Sequence, residues 1–192
     1  MKTVNSLYLV PVGILSFLGG AALFVSRRGL SMTKPREESL PGVPVVAWNR
    51  FVAVMVTRPR GMVGPRGRTG MFGMDARRLR DVGFMTEARK AEVGGEAGVW
   101  VGSWAPPLTG EKFLQSTPLQ YEAFRRSMSR MAPRVSGLVG RTVDGARCSL
   151  SGLLGVGHLA GEEGIRSWVE DPAVRKRFAS TTKNFTRCNG IF

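Results

Sequence analysis

The N-terminal segment carries the feature that constrains this chain most. A run of 24 residues without a charged side chain separates Lys2 from Arg27. Within it, Leu7–Val25 is almost continuously apolar, with one proline and a glycine pair as the interruptions. Because about 20 helical residues cross the roughly 30 Å hydrocarbon core of a bilayer, the run predicts a transmembrane anchor over residues 1–26. A cleaved signal peptide, which has a similar pattern, is the alternative.

The basic residues on either side of this segment predict its orientation. Arg27, Arg28, Lys34 and Arg36 follow the apolar run, whereas Lys2 and the amino terminus precede it. Lys and Arg are enriched on the cytoplasmic side of membrane spans. We therefore expect an integral, single-pass inner-membrane protein whose bulk faces the bacterial cytoplasm or the mitochondrial matrix.

Composition limits the chemistry available to the remainder of the chain. The 192 residues include 28 Lys and Arg against 14 Asp and Glu, a net charge of +14, and 43% are hydrophobic, which suits one globular core. Cys148 and Cys188 cannot build a disulfide framework, and we expect free thiols. His158 is the single histidine, so multi-histidine sites are excluded. We expect no metal site and no cofactor.

Hydrophobic spacing predicts a mainly α-helical domain over residues 44–180, joined to the anchor by a linker at 27–43. The predicted helix starts are Pro44, Asp75, Thr117, Ser149, Gly161 and Asp171. Pro133 is expected to break or kink the helix that begins at Thr117. Residues 86–108 are interpreted as an irregular connection or short strand, and residues 181–192 as a docking C-terminal tail.

Between the first two predicted helices, glycine occurs at every third position from Gly61 to Gly73. Four such triplets are too few for a collagen-like triple helix. The segment also lacks the Gly-Lys-Ser/Thr ending of a phosphate-binding loop. We interpret it as a Gly-rich loop or short hairpin in which glycine supplies positive φ or close backbone approach.

Three stretches carry a family resemblance. They are GRTGMFGMDARRLRDVGFM at 67–85, FLQSTPLQYEAF at 113–124 and SLSGLLGVGHLAGEEGIRSW at 149–168. In this order they resemble the Gly-rich loop with its helix, the next helix start and the buried central helix of lysozyme-like domains. These domains form the goose-lysozyme and lytic-transglycosylase group of bacterial and phage proteins that cleave peptidoglycan. The resemblance covers residues 44–170 and implies a lysozyme-like helical domain.

The resemblance also implies a catalytic glutamate at the end of the helix before the Gly-rich loop. This chain has Thr57 and Arg58 there. A glycosidase needs a carboxyl group beside the glycosidic oxygen, and neither residue supplies one. The aromatic-Gln pair of the family loop corresponds to Phe72 and Gly73, so these two residues and Met74 are candidates to line a degenerate groove.

Three further polar residues have structural interpretations. His158 has no acid or nucleophile at helical spacing, and we interpret it as a core histidine hydrogen-bonded to backbone. Glu162 and Glu163 are adjacent and point in different directions on a helix. They are interpreted as charges near a helix N-terminus rather than as a catalytic pair.

An arginine-rich surface is the remaining feature of the sequence. The candidates for binding lipid headgroups or partner subunits are Arg27, Arg28, Arg58, Arg60, Arg66, Arg68, Arg77, Arg78 and Arg80. Arginine forms fixed bidentate pairs with anions, and basic residues near a bilayer attract anionic headgroups. No RNA-binding motif accompanies them, so nucleic acid is not an expected partner.

Together these features predict a single-pass membrane protein whose degenerate, non-catalytic lysozyme-like domain is a structural or accessory subunit of a larger membrane assembly. Respiratory and ATP-synthase complexes are candidate hosts. The alternative is a membrane-anchored or virion-associated peptidoglycan hydrolase that takes its acid from elsewhere, such as Glu37 or Glu38. A third hypothesis is a basic nucleic-acid or ribosome tether, which would bind RNA with a steep salt dependence.

Overall fold

The structure is a computed structural model that describes residues 39–192. The predicted anchor at 1–26 and most of the linker at 27–43 lie outside the described residues, as do Arg27 and Arg28. Between residues 39 and 192, no helix combines the length and the apolarity needed to cross a bilayer.

Seven α-helices and four β-strands form the described part, which confirms the mainly α-helical class. In chain order they are α1 (Val45–Met55), α2 (Ala76–Asp81), β1 (Met85–Val93), β2 (Glu96–Trp104), α3 (Gly110–Gln115), α4 (Thr117–Val135), β3 (Thr142–Val143), β4 (Ala146–Arg147), α5 (Leu150–Glu170), α6 (Pro172–Arg177) and α7 (Ala179–Cys188). Strands β1 and β2 form one antiparallel pair, and β3 and β4 form another.

Short polar side chains determine where most of the helices begin. The residues whose side chains accept a hydrogen bond from the first turn are Asp75 for α2, Thr109 for α3, Ser116 for α4, Ser149 for α5 and Asp171 for α6. Each such oxygen satisfies a backbone N–H that has no partner within the helix. The predicted starts at Asp75, Ser149 and Asp171 are confirmed.

The hairpin of β1 and β2 is more extensive than the short strand or irregular connection predicted for residues 86–108. Each strand has nine residues, and Gly94 and Gly95 form the turn with φ of 58° and 81°. Only Met85 in β1 and Val99 in β2 are buried. Because backbone pairing rather than burial defines these strands, the sequence shows no apolar alternation that would indicate their length.

The two predicted helix breaks have different outcomes. α4 continues through Pro133 and ends at Val135. Only two residues of α4 follow Pro133, so the proline affects just the C-terminal end of the helix. α5 bends at Gly161, whose φ of 74° and ψ of 173° are accessible to glycine, so a new helical segment follows Gly161 as predicted.

The predicted tail at 181–192 is largely helical, and α7 crosses the predicted domain boundary. The tail docks against α5, as expected, and Phe185 is buried there. Two glycines of α5 allow this close approach. A Cβ on Gly152 would lie 2.9 Å from the Phe185 ring, and a Cβ on Gly155 would lie 3.2 Å from Asn184 O.

An aromatic cluster joins α1, the Gly-rich loop and α4. Phe72 and Phe124 stack with ring centroids 4.2 Å apart, and Trp48 and Phe51 lie within 6.1 Å of Phe124. Residues 151–158 of α5 are all buried. The core therefore holds the Gly-rich loop in place from one side.

Candidate functional site

The position at which the family resemblance implies a catalytic acid lies just beyond the end of α1. Thr57 is exposed, and its backbone N–H donates to Met71 O at 3.1 Å. Arg58 is partly buried, and its Nη1 donates to Arg68 O at 3.5 Å. Both residues thus contact the Gly-rich loop, and neither offers a proton-donating carboxyl group.

Arg58 lies across two glycines of this loop. A Cβ atom on Gly64 would overlap Arg58 Nη1, and a Cβ on Gly73 would lie 3.5 Å from Arg58 Cζ. A side chain at position 64 would therefore displace the arginine. Close approach of a side chain to the backbone, one of the two roles expected for these glycines, is confirmed at Gly64.

Gln120 holds the base of the loop from inside the domain. The residue is 1% exposed. Its Oε1 accepts from the Met71 N–H at 2.8 Å. Its Nε2 lies 3.2, 3.0 and 3.0 Å from the carbonyl oxygens of Arg60, Phe113 and Leu114. The side chain is satisfied, and it ties the loop to α3 and α4.

Gln120 is not among the site residues predicted from the sequence. The residue lies one helical turn before Phe124 on the apolar stripe of α4. A polar side chain on a buried stripe needs hydrogen-bond partners, and that signal marks the position.

The three residues predicted to line a degenerate groove are not equivalent. Phe72 is 2% exposed, and its ring stacks on Phe124. Met74 is 1% exposed. Gly73 is partly exposed with φ of 57° beneath Arg58. The side chains of Phe72 and Met74 therefore belong to the core, and Gly73 has no side chain. The exposed surface at this point consists of backbone atoms.

Arg78, a candidate for the basic interface, points into the domain. Its Nη1 lies 3.1 Å from His158 Nδ1 and 2.9 Å from His158 O, and its Nη2 lies 3.2 Å from Gly157 O. These two carbonyls lie in the last turn of the first segment of α5, just before the bend at Gly161. Arg78 therefore caps that segment, where positive charge is favourable.

The same contacts decide the state of His158. Arginine only donates, so Nδ1 must accept and the ring proton is assigned to Nε2. Burial and the charge of Arg78 lower the pKa of His158 to about 3, although a backbone hydrogen bond with Phe72 opposes this. Burial also lowers the pKa of Arg78. His158 is thus a neutral core histidine, as predicted, and it is unsuited to general-base chemistry near pH 7.

The predicted basic interface divides into two groups. Within the described part, the exposed members are Arg60, Arg66, Arg77 and Arg80, and the partly buried members are Arg58, Arg68 and Arg78. Arg66 pairs with Glu96 at 3.0 Å, and Arg80 pairs with Asp81 at 2.7 Å. The exposed group is the part that a partner can reach.

Two carboxylates border a shallow cavity of about 350 Å³ between α4 and the second segment of α5. Glu162 forms an ion pair with Arg134, and Glu163 is exposed. Both follow the bend at Gly161 and so lie in the first turn of the new segment, where negative charge is favourable. Their interpretation as charges near a helix N-terminus is confirmed.

Glu122 on α4 is held by two arginines. Burial is the largest influence and would raise the pKa of this carboxyl, but the hydrogen bonds and charges of Arg125 and Arg126 together outweigh it and lower the pKa. A glycosidase acid needs a raised pKa. Glu122 therefore acts as an ion-pair partner within the helix.

Both cysteines are free, as predicted, and the structure buries both of them. Burial raises the pKa of Cys148, and it raises the pKa of Cys188 to about 11. Cys188 Sγ lies 3.5 Å from Met55 Sδ, so α7 contacts the end of α1. Both thiols are therefore protonated near neutral pH and act as core side chains.

Comparison with models of known families, with curated proteins and with solved structures finds no match to this chain.

Proposed function

We propose that this chain is a single-pass membrane protein whose lysozyme-like helical domain is non-catalytic and serves as a structural or accessory subunit of a larger membrane assembly. Respiratory and ATP-synthase complexes remain the candidate hosts. The apolar run Leu7–Val25 supplies the anchor in this proposal.

The observation that carries the proposal is the conversion of the expected catalytic position into a structural contact. Arg58 lies over Gly64 and Gly73 and donates to Arg68 O. A cation with a fixed role in the loop stands where glycoside hydrolysis would require a proton donor.

The surroundings of this position support the same conclusion. The amide of Gln120 is turned inward and holds Met71 and Arg60 by their backbones, so it is not offered to a sugar. Phe72 and Met74 are buried. A loop braced in this way presents a constant surface, which suits a scaffold more than a substrate groove.

Extraction of the full chain from its native membrane in a mild detergent tests the proposal. We expect it to migrate in a stable complex much larger than its 20.9 kDa mass. Migration as a single chain would contradict the accessory-subunit role.

A murein zymogram tests the catalytic alternative. We expect no clearing by the purified full chain, because Thr57 and Arg58 carry no carboxyl group. Clearing that survives Thr57→Ala and is lost on Glu37→Gln or Glu38→Gln would contradict the scaffold role and support the hydrolase alternative.

A further inference from the structure

Two adjacent apolar side chains protrude from the Gly-rich loop. Met62 is 46% exposed and Val63 is 60% exposed. Exposing apolar surface to water is unfavourable, at about 25 cal/mol per Å². The loop backbone nevertheless holds both side chains outward, which raises the question of what they contact.

The backbone of this loop is closed on itself. Gly64 N–H donates to Arg68 O at 2.7 Å, and Gly70 N–H donates to Met62 O at 2.9 Å. Val63 pairs with Thr69 in an antiparallel bridge. With Gln120 and Arg58 fixing its base, the loop is preorganised, and docking costs little conformational entropy.

Arginines surround the exposed apolar pair. Arg60 precedes it, and Arg66, whose side chain is 75% exposed, follows it. Within residues 39–192, Glu96 is the one carboxylate that forms an ion pair with either arginine, at 3.0 Å from Arg66. Residues 39–74 contain no Asp or Glu. The loop therefore joins an apolar tip to a positively charged rim.

The basic surface continues from the loop onto the hairpin. A Cβ on Gly67 would lie 2.9 Å from Trp100 O, so the loop abuts β2. The Trp100 ring has Arg77 Cζ and Lys90 Nζ each 5.7 Å from its centroid. Tryptophan and basic side chains together are typical of the bilayer interface.

We infer that the Gly-rich loop docks onto anionic phospholipid headgroups. The loop surface, defined as Arg60, Met62, Val63, Arg66 and Trp100, contacts the headgroups through its arginines while Met62 and Val63 enter the interface. Apolar insertion next to basic residues is the combination that binds anionic bilayers. Single-stranded RNA would call for exposed stacking aromatics at the tip, which carries methionine and valine instead. The inference rests on the membrane placement in the proposed function.

A polarity-sensitive fluorophore on Val63→Cys tests the inference in the full chain. The protein is reconstituted in nanodiscs of phosphatidylcholine alone or with phosphatidylglycerol. The native thiols are buried, so a maleimide reagent modifies the introduced one. We expect a blue shift in the anionic discs relative to the neutral discs, because the probe enters the interface there.

Val139→Cys is the matched control for this label. Val139 is a valine of similar exposure, 44%, and it lies beyond the C-terminal end of α4, whereas Gln120 holds the loop near the N-terminal end of that helix. We expect its emission to be alike in both kinds of disc.

Charge variants separate local contact from net charge. On the Val63→Cys background, Arg60→Gln with Arg66→Gln should reduce docking roughly thirty-fold, since each basic residue near an anionic surface contributes roughly fivefold. Lys176→Gln with Arg177→Gln removes the same charge from exposed positions on α6 and should leave the blue shift intact.

Three results would overturn the inference. The Val63→Cys probe could emit alike in both discs, it could shift no more than the Val139→Cys probe, or single-stranded RNA could produce the shift in neutral discs. Release of the full chain from native membranes by alkaline carbonate is a separate result. This result would show that the chain has no membrane anchor and would contradict the proposed function, independently of the fluorescence shift of the probe.

Discussion

At the residue scale, two buried polar side chains connect parts of the chain that are far apart in sequence. Arg78 donates to the last carbonyls of the first segment of α5, and to the ring of His158. Gln120 holds the Gly-rich loop against α3 and α4. Each satisfies backbone groups that would otherwise be buried without a partner, so each has a measurable effect on stability.

Lowering the pH from 7 to 5 should destabilise the native state by about 2 kcal/mol through His158. Its pKa is about 3 in the folded chain against 6.5 ordinarily, so the unfolded state binds more protons in this window. The stabilisation is fully present above pH 6.5 and is lost as the pH falls toward 3. Urea unfolding at a series of pH values measures it.

His158→Gln provides the control for this pH dependence. The amide oxygen of glutamine can accept from Arg78, and its NH₂ group can donate to the Phe72 backbone without titrating. The variant should lose less stability than wild type between pH 7 and 5. Parallel losses in the two proteins would show that His158 is not held neutral by the fold.

Gln120→Leu should destabilise the domain by about 2 to 3 kcal/mol, because it leaves the Met71 N–H and several carbonyls without a partner. The Met71 amide should also exchange faster with deuterium than in wild type. The matched control is Gln115→Leu, at an exposed position bonded only to Glu111, with an effect of about 0.5 kcal/mol or less. Equal effects of the two substitutions would argue against the anchoring role of Gln120.

At the element scale, the pairing of α5 with α7 depends on glycines that bring the two helices close. A Cβ on Gly152 would meet the Phe185 ring at 2.9 Å and Asn189 Oδ1 at 2.5 Å. Asn189 is itself held by hydrogen bonds to Ser149 N and Arg147 O. Neither neighbour can move without breaking other contacts.

Gly152→Ala should therefore lower stability by about 1 to 3 kcal/mol, the usual cost of overpacking. Helix propensity alone would predict the opposite sign, a gain of up to about 1 kcal/mol. Thermal unfolding distinguishes the two. Gly137→Ala, where a Cβ would meet nothing within 4 Å, should change stability by no more than about 0.5 kcal/mol. A more stable Gly152→Ala variant would show that α7 does not pack as closely as described.

At the scale of the whole molecule, the proposed membrane anchor and the charges that follow it predict on which side of the membrane the domain would lie. Val93→Cys provides an exposed thiol, and both native cysteines are buried. With the full chain in a bacterial inner membrane, we expect an impermeant maleimide to label this thiol in inverted vesicles and to leave it unlabelled in spheroplasts. Wild type reports the background. Labelling in spheroplasts instead would place the domain outside and favour the hydrolase alternative.

Elements of the fold were predictable from the sequence where the interactions that define them involve residues close together in the chain. Asp75, Ser149 and Asp171 mark helix starts because each side chain bonds to an N–H within its own first turn. The length of the β1–β2 hairpin was not predicted, because backbone hydrogen bonds between the two strands define it and leave no apolar pattern in the sequence. The Gly94-Gly95 turn was the available signal for it.

The sequence by itself determined the mainly helical class, the helix starts at Asp75, Ser149 and Asp171, and the place of the Gly-rich loop, since each depends on residue identity or on neighbours within a turn. Only the tertiary structure decided that Arg77 faces solvent while Arg78 enters the core to reach Gly157 and His158. Adjacent arginines have the same chemistry, and their roles differ because partners nearly 80 residues away offer carbonyls to one and not to the other.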